Sequence, residues 1–291
     1  INQGNKNAEL PAWLNMRHAW SANDAKRDEG LAYPDNVIQI KNLDYKKEPD
    51  HQKWCEAVEL LASQRTMGEK TSEKYSRIFY YNEPDDASNL DSERYASNSL
   101  FDIYYPAELD AQTSYPVIVS VHGGGWFYGD KELYSYYCCH LASKGFAVVN
   151  FNYRLAPQNK YPAAIEDVAY FIRYIHENAG VLHLDMEKFY MLGDSAGAQL
   201  TANYCIIAGN AAYRNKLDFF TYDRLPKAVC LNCGAYEMDK REDNISDWYM
   251  KNEDGSYAVS EEQRKLFLSQ LEYLTKDFPP AYLMYSVNDD L

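Results

Sequence analysis

Gly193-Asp-Ser-Ala-Gly197 places a serine between two glycines, one two residues before it and one two residues after it. A serine hydroxyl is a weak nucleophile until a base takes its proton and nearby donors stabilise the developing charge, so its placement decides whether it reacts. The strand-forming run Lys188-Phe-Tyr-Met-Leu192 precedes the motif, and helix-forming residues from Ala196 to Ala208 follow it. Strand, sharp turn and helix is the setting in which a Gly-x-Ser-x-Gly turn exposes its serine above a sheet, and the strained backbone there accepts only very small flanking residues. Ser195 is the expected nucleophile, with the N–H groups of the helix it starts facing its charge. His122-Gly-Gly-Gly-Trp126 lies 73 residues earlier, at the end of the run Val117 to Val121. Consecutive glycines leave backbone N–H groups uncovered, and such donors can wait about 3 Å from a tetrahedral oxyanion. Gly124, Gly125 and Ala196 are the expected donors. A glycine triplet can also cradle phosphate, but the Gly-Lys-Ser/Thr that a phosphate loop requires does not follow.

The elements that must position these residues alternate in type. Tyr115 to Val121, Phe146 to Phe151, Lys188 to Leu192, Lys227 to Cys233 and Ala281 to Val287 read as short, β-rich strands. Leu133 to Lys144, Pro162 to Asn178 and Ala196 to Ala208 read as helices between them, the second with proline in its first turn and apolar residues near helical spacing. This order predicts an α/β fold, a mostly parallel sheet with helices on both faces. Residues 1–95 are polar, with one helical segment at Asp50 to Gln64 and a loop at Asn82 to Ser99, and residues 239–277 interrupt the strand rhythm. The expected organisation is an N-terminal arm or cap over 1–95 and a core over 96–291 with a cap insertion at 239–277; arm and insertion are candidates for a lid over the sheet's carboxyl edge.

Composition narrows the partners. The chain has 291 residues and a formal net charge of −14, which repels phosphate backbones and anionic membranes and argues against nucleic acid or membrane as partner. No apolar run reaches the roughly 20 residues of a membrane span, and the first thirty residues hold no signal-like stretch, so a cytoplasmic location is expected, with secretion after removal of a leader as the alternative. The six cysteines lack a disulfide-framework spacing, and the pair Cys230 and Cys233 has no second Cys/His pair to make a zinc site. No metal and no cofactor is expected.

Five stretches together resemble a known group: Asp102-Ile-Tyr-Tyr-Pro106, His122-Gly-Gly-Gly-Trp126, Asn152-Tyr-Arg-Leu-Ala-Pro157, Tyr161-Pro-Ala-Ala-Ile-Glu-Asp167 and Gly193-Asp-Ser-Ala-Gly-Ala198. In order and spacing they are similar to the α/β-hydrolase esterases of the hormone-sensitive-lipase type and to bacterial carbohydrate esterases acting on acetyl xylan or feruloyl esters. The resemblance covers Phe101 to Leu291. It implies the α/β-hydrolase fold, scaffold roles for Arg154 and Asp167, and a loop-organising role for His122. Aligning on Pro279-Pro280, it implies that Asp289 is the acid of a Ser-His-Asp triad, with Asp290 as the neighbouring alternative. The acid would hold the histidine tautomer and stabilise the imidazolium.

The resemblance also implies a catalytic histidine after that acid, beyond Leu291, together with one more strand and a final helix. None of the six histidines of the sequence fills that place. The expected activity is therefore a serine carboxylesterase acting on small soluble esters through an acyl-enzyme on Ser195, with a base from outside this stretch of chain and a homodimer as a further expectation. The alternative is a ligand-binding protein on an inactive esterase scaffold. Peptide hydrolysis by the same triad is a third reading, without the large accessory domain of related peptidases. The tyrosines of Tyr134-Ser-Tyr-Tyr137 are candidates to stack on sugar, which would favour acetylated or feruloylated carbohydrate.

Overall fold

The protein is described from a computed structural model, which covers residues 11–46, 77–79, 99–107, 113–241 and 243–287. Among them are eight strands: β1 (Val37–Asp44), β2 (Arg77–Phe79), β3 (Leu100–Pro106), β4 (Tyr115–Val121), β5 (Ala147–Phe151), β6 (Leu184–Asp194), β7 (Val229–Asn232) and β8 (Ala281–Met284). They form one sheet in the order β2-β1-β3-β5-β4-β6-β7-β8. β3 runs antiparallel to β1 and β5, and every pair from β5 to β8 is parallel. The helices are α1 (Ala12–Arg27), α2 (Ser135–Ala142), α3 (Ala163–Glu177), α4 (Ala196–Gly209), α5 (Ala211–Arg214), α6 (Asn244–Met250) and α7 (Glu261–Leu268). This is the expected α/β-hydrolase arrangement. No helix among the described residues is long and apolar enough to cross a membrane.

Side chains alternate across a strand, and the sequence uses both faces. Phe101, Ile103 and Tyr105 of β3, with Val149 and Phe151 of β5, enter the main core, whereas Tyr104 and Val148 join Val37, Cys138, Cys139 and Ala142 beneath α2. β4 and β5 at the centre are almost wholly buried, which accounts for their nearly continuous apolar runs. α3 buries Ile165, Val168, Ile172 and Ile175, and α4 is buried from Ala196 to Ala208, so the helix that starts at the nucleophile has no solvent face.

Three expected boundaries differ. β6 begins at Leu184 rather than Lys188; its pairing with β4 shifts between Pro116 and Val117, where proline has no N–H to give to the ladder. The helix expected from Leu133 starts as a 3-10 turn over Lys131–Tyr134, capped by the Asp130 side chain, and ends at Ala142. The expected arm over 1–95 contains β1, a strand of the central sheet, so the core does not begin at residue 96. β1 was hidden because the buried Lys41 and Asn42 interrupt its apolar pattern. Both engage Asp102 on β3: Lys41 Nζ lies 2.8 Å from Oδ2, and the backbone N–H of Asn42 donates to Oδ1 at 2.8 Å. Lys131 at 3.2 Å from Asp102 and 2.9 Å from Glu132 completes a buried quartet in which Lys41 also pairs with Glu132. Burial alone would raise the Glu132 carboxyl, but Lys41 and Lys131 outweigh it and hold the group well below the usual range. The expected helix at Asp50 to Gln64 and most of the loop at Asn82 to Ser99 lie outside the described residues.

Candidate active site

Ser195 sits between β6 and α4 with φ 51° and ψ −117°, a backbone conformation that non-glycine residues hold at a cost of order 1–3 kcal/mol. The turn is fixed from both sides. The Ser195 N–H donates to Asn232 O at 2.8 Å, continuing the β6–β7 ladder, and the N–H groups of Ala198 and Gln199 return to Ser195 O at 3.0 and 3.1 Å. The flanking glycines are required by space: a Cβ on Gly193 would collide with the Gly197 backbone, and one on Gly197 with Val121 O and His122 O. The sterics that require small residues here also press the elbow onto the end of β4, bringing the serine to the glycine loop.

That loop leaves β4 at His122. Gly124 has φ +116° and Gly125 φ +58°, and the N–H groups of Phe127 and Tyr128 both donate to Gly124 O, at 3.1 and 2.9 Å, curling the loop back on itself. Against it lies the elbow: a Cβ on Gly123 would come within 3.3 Å of Ser195 Cβ and 3.1 Å of the Asp194 carboxylate. The backbone N–H groups of Gly124, Gly125 and Ala196 meet no acceptor among the described residues. Gly125, Ser195 and Ala196 line one cleft of about 500 Å³. Three free donors beside a strained serine can stabilise an oxyanion formed on that serine.

His122 organises the loop and does not face the cleft. Its ring is buried, stacks on Tyr153 at 4.1 Å, and donates from Nδ1 to Gly123 O at 2.7 Å. Burial pushes its pKa down to about 4, so the imidazole is neutral near pH 7. None of the other described histidines lines the cleft either. Asp289 and Asp290 lie outside the described residues, although Leu283 to Ser286, just before them, form part of the cleft wall. Arg154 binds the buried Asp167 through Nε at 3.0 and 2.9 Å and through its own N–H at 2.8 Å, clamping the loop after β5 to α3.

Several residues that shape the site were not foreseen. Arg17 of α1 is buried; its Nε donates to Phe127 O at 2.6 Å and its Nη2 to Ala156 O at 2.8 Å, bracing the glycine loop from the N-terminal arm. Trp20, one turn along, packs on Phe127 and Tyr128 and lines the cleft. From the insertion, Ile245 presses on Gly125, Tyr249 stacks on Trp126 at 5.1 Å, and Lys240 and Arg241 reach the cleft. Tyr134 donates to Asp194 Oδ2 at 2.6 Å, steadying the residue before the nucleophile. A sequence signal existed only for Trp20, whose aromatic ring on a polar helix suggests a packing partner. The sugar-stacking tyrosines are corrected: Tyr134 is committed to Asp194 and Tyr136 stacks on Tyr33, and the aromatic rings on the cleft belong to Trp20, Trp126, Tyr236 and Tyr285. Cys230 and Cys233 are free thiols; Cys233 lines the cleft, whereas Cys230 donates to Asn232 Oδ1 at 3.3 Å.

A family model, BD-FAE, matches residues 101–291, about two thirds of the chain. The chain belongs to the BD-FAE family. This BD-FAE chain is 37% identical over 101 residues to esterase LipI of Mycobacterium tuberculosis, covering 34% of this chain and 32% of the relative. It is 31% identical over 137 residues to ethyl acetate hydrolase of Pseudomonas putida, covering 46% and 42% respectively. The matched stretch thus spans about a third to two fifths of these curated relatives. Esterase B from Lactobacillus rhamnosis matches in fold with a TM-score of 0.65 and 23% identity, over 96% of this chain and 77% of the other. The BD-FAE match and these relatives bear out the resemblance to α/β-hydrolase esterases of the hormone-sensitive-lipase type.

Proposed function

We propose that this chain is a serine carboxylesterase that hydrolyses small esters through an acyl-enzyme on Ser195. The observation that carries the reading is the strained Ser195 on one cleft with Gly125 and Ala196, whose N–H groups, like that of the neighbouring Gly124, are uncommitted. In the proposed course the Ser195 hydroxyl attacks the ester carbonyl, its proton passing to a histidine. Gly124, Gly125 and Ala196 donate to the oxyanion, the alcohol leaves with that proton, and water repeats the sequence on the acyl-enzyme. Asp289 is the proposed acid that orients the histidine, which family order places later in the chain. The names of the curated relatives favour turnover over the ligand-binding alternative.

Ethyl acetate hydrolase among the relatives supports a short acyl group. With a small acyl part, the alcohol occupies most of the cleft, and the exposed faces of Trp20, Tyr236 and Tyr285 suit a sugar ring, so acetylated or feruloylated carbohydrate is the proposed substrate class. The full-length protein should hydrolyse p-nitrophenyl acetate, and Ser195→Ala should lower that rate by about a thousandfold or more. A fluorophosphonate should add its mass to the peptide containing Ser195 and to no other. Labelling elsewhere, or full activity in the variant, would refute the assignment.

A further inference from the structure

Beside the ester cleft lies a second cleft of about 420 Å³, built entirely from the insertion between β7 and β8. Arg241, Lys251 and Arg264 line it with Tyr257, and Arg241 lines the ester cleft as well, so the two spaces meet at that side chain. Two carboxylates, Asp239 and Asp247, also line it: Asp247 is paired with Lys251 at 2.6 Å, and Asp239 interacts with the charge of Lys240. Arg241 is held by Asp243 through Nη2 at 2.6 Å and packs 5.8 Å from the Trp126 ring, while its buried Nε has no partner.

Arg264 differs from both. It is half-buried, and its guanidinium makes no hydrogen bond or close ion pair among the described residues; the nearest charge it feels is that of Glu261, one turn earlier, whose close partner is Lys265 at 2.7 Å. Its guanidinium lies 4.5 Å from the centre of the Tyr257 ring. A guanidinium seated over an aromatic face keeps its N–H donors available, and such a fork suits a planar oxyanion. The brace is itself anchored: Tyr257 pairs with Lys251 in a short antiparallel bridge, and the N–H of Ala258 donates to Met250 O at 3.0 Å. A solvated arginine needs no such support.

We propose that this second cleft is a carboxylate subsite, with Arg264 as its principal donor and Arg241 linking it to the ester cleft, and that it selects esters whose alcohol portion is a sugar bearing a uronic acid. The proposal rests on the carbohydrate-ester reading and adds the charge of the sugar to it. The carboxylate belongs to the alcohol because a short acyl group does not extend beyond the cleft that holds Ser195.

The test uses binding as well as turnover. By saturation-transfer NMR the full-length protein should bind methyl glucuronoside at least about tenfold more tightly than methyl glucoside, since hydrogen bonds to charged groups contribute more than neutral ones. Arg264→Gln should remove that preference, and Arg264→Lys should restore part of it. In turnover, the ratio of kcat/KM for acetylated methyl glucuronoside over acetylated methyl glucoside should fall toward one in Arg264→Gln. Equal binding of the two glycosides by the wild type, or a preference that survives Arg264→Gln, overturns the subsite. Absence of p-nitrophenyl acetate hydrolysis would instead overturn the esterase reading, while the binding comparison would still decide the subsite.

Discussion

At the nucleophile, a single extra methyl group has nowhere to go. Gly197→Ala would drive a Cβ into the carbonyl oxygens of Val121 and His122, which are backbone atoms and cannot rotate away. The expected outcome is a loss of about 3 kcal/mol or more in a urea melt, beyond ordinary overpacking, with loss of esterase activity. His122 gives a pH prediction. Its folded pKa of about 4 lies below the ordinary value of 6.5, so between those values the unfolded chain binds the extra proton. The stability it contributes is complete above pH 6.5 and is lost as pH falls toward 4, by up to about 3 kcal/mol. Urea melts from pH 7 to 4 should therefore show a shallower acid loss in His122→Asn than in the wild type. Ser195 and its glycines were legible in the sequence because the need for small residues at a sharp turn is local. The same cannot be said of Arg17, whose contacts with Phe127 and Ala156 span 110 and 139 residues and leave no short-range pattern.

Among the elements, α1 carries a role that its composition conceals. Arg17→Ala would leave two buried carbonyl oxygens, of Phe127 and Ala156, without their donor, at about 1–3 kcal/mol each. The variant should melt several degrees lower and lose at least about tenfold in kcat on p-nitrophenyl acetate, because the glycine loop is no longer held for the oxyanion. Arg17→Lys should not rescue it, since an ammonium cannot reproduce the guanidinium fork. The parallel strands and the crossover helices α3 and α4 were readable because buried strands are uniformly apolar and α3 keeps helical spacing. β1 was not, since its buried lysine and asparagine find their partner on β3. The short helices of the insertion, α6 and α7, were equally obscure, for each buries only a few residues, Tyr249 against Trp126 and Phe267 against Tyr161 and Tyr249.

Across the whole molecule, burial is deepest at the centre of the sheet. β4, β5 and the end of β6 that leads into α4 are buried, whereas α1 keeps only Leu14 and Arg17 buried. Native-state hydrogen exchange should accordingly find the slowest amides in β4 and β5, and α1 should open before the centre does. Equal protection of α1 and the central strands would contradict that picture. The fold class was legible from the alternation of strands and helices, while the arrangement around the cleft was not, because arm and insertion meet the glycine loop through contacts far apart in the sequence. Trp20 and Arg17 sit one turn apart on the same helix, one walling the cleft and the other holding the loop. On the proposed esterase reading, swinging that helix aside to admit a bulkier ester would also slacken the loop that carries the oxyanion donors, so the width of the doorway and the strength of catalysis are coupled through α1. A smaller side chain in place of Trp20 would widen the cleft and leave Arg17 where it stands.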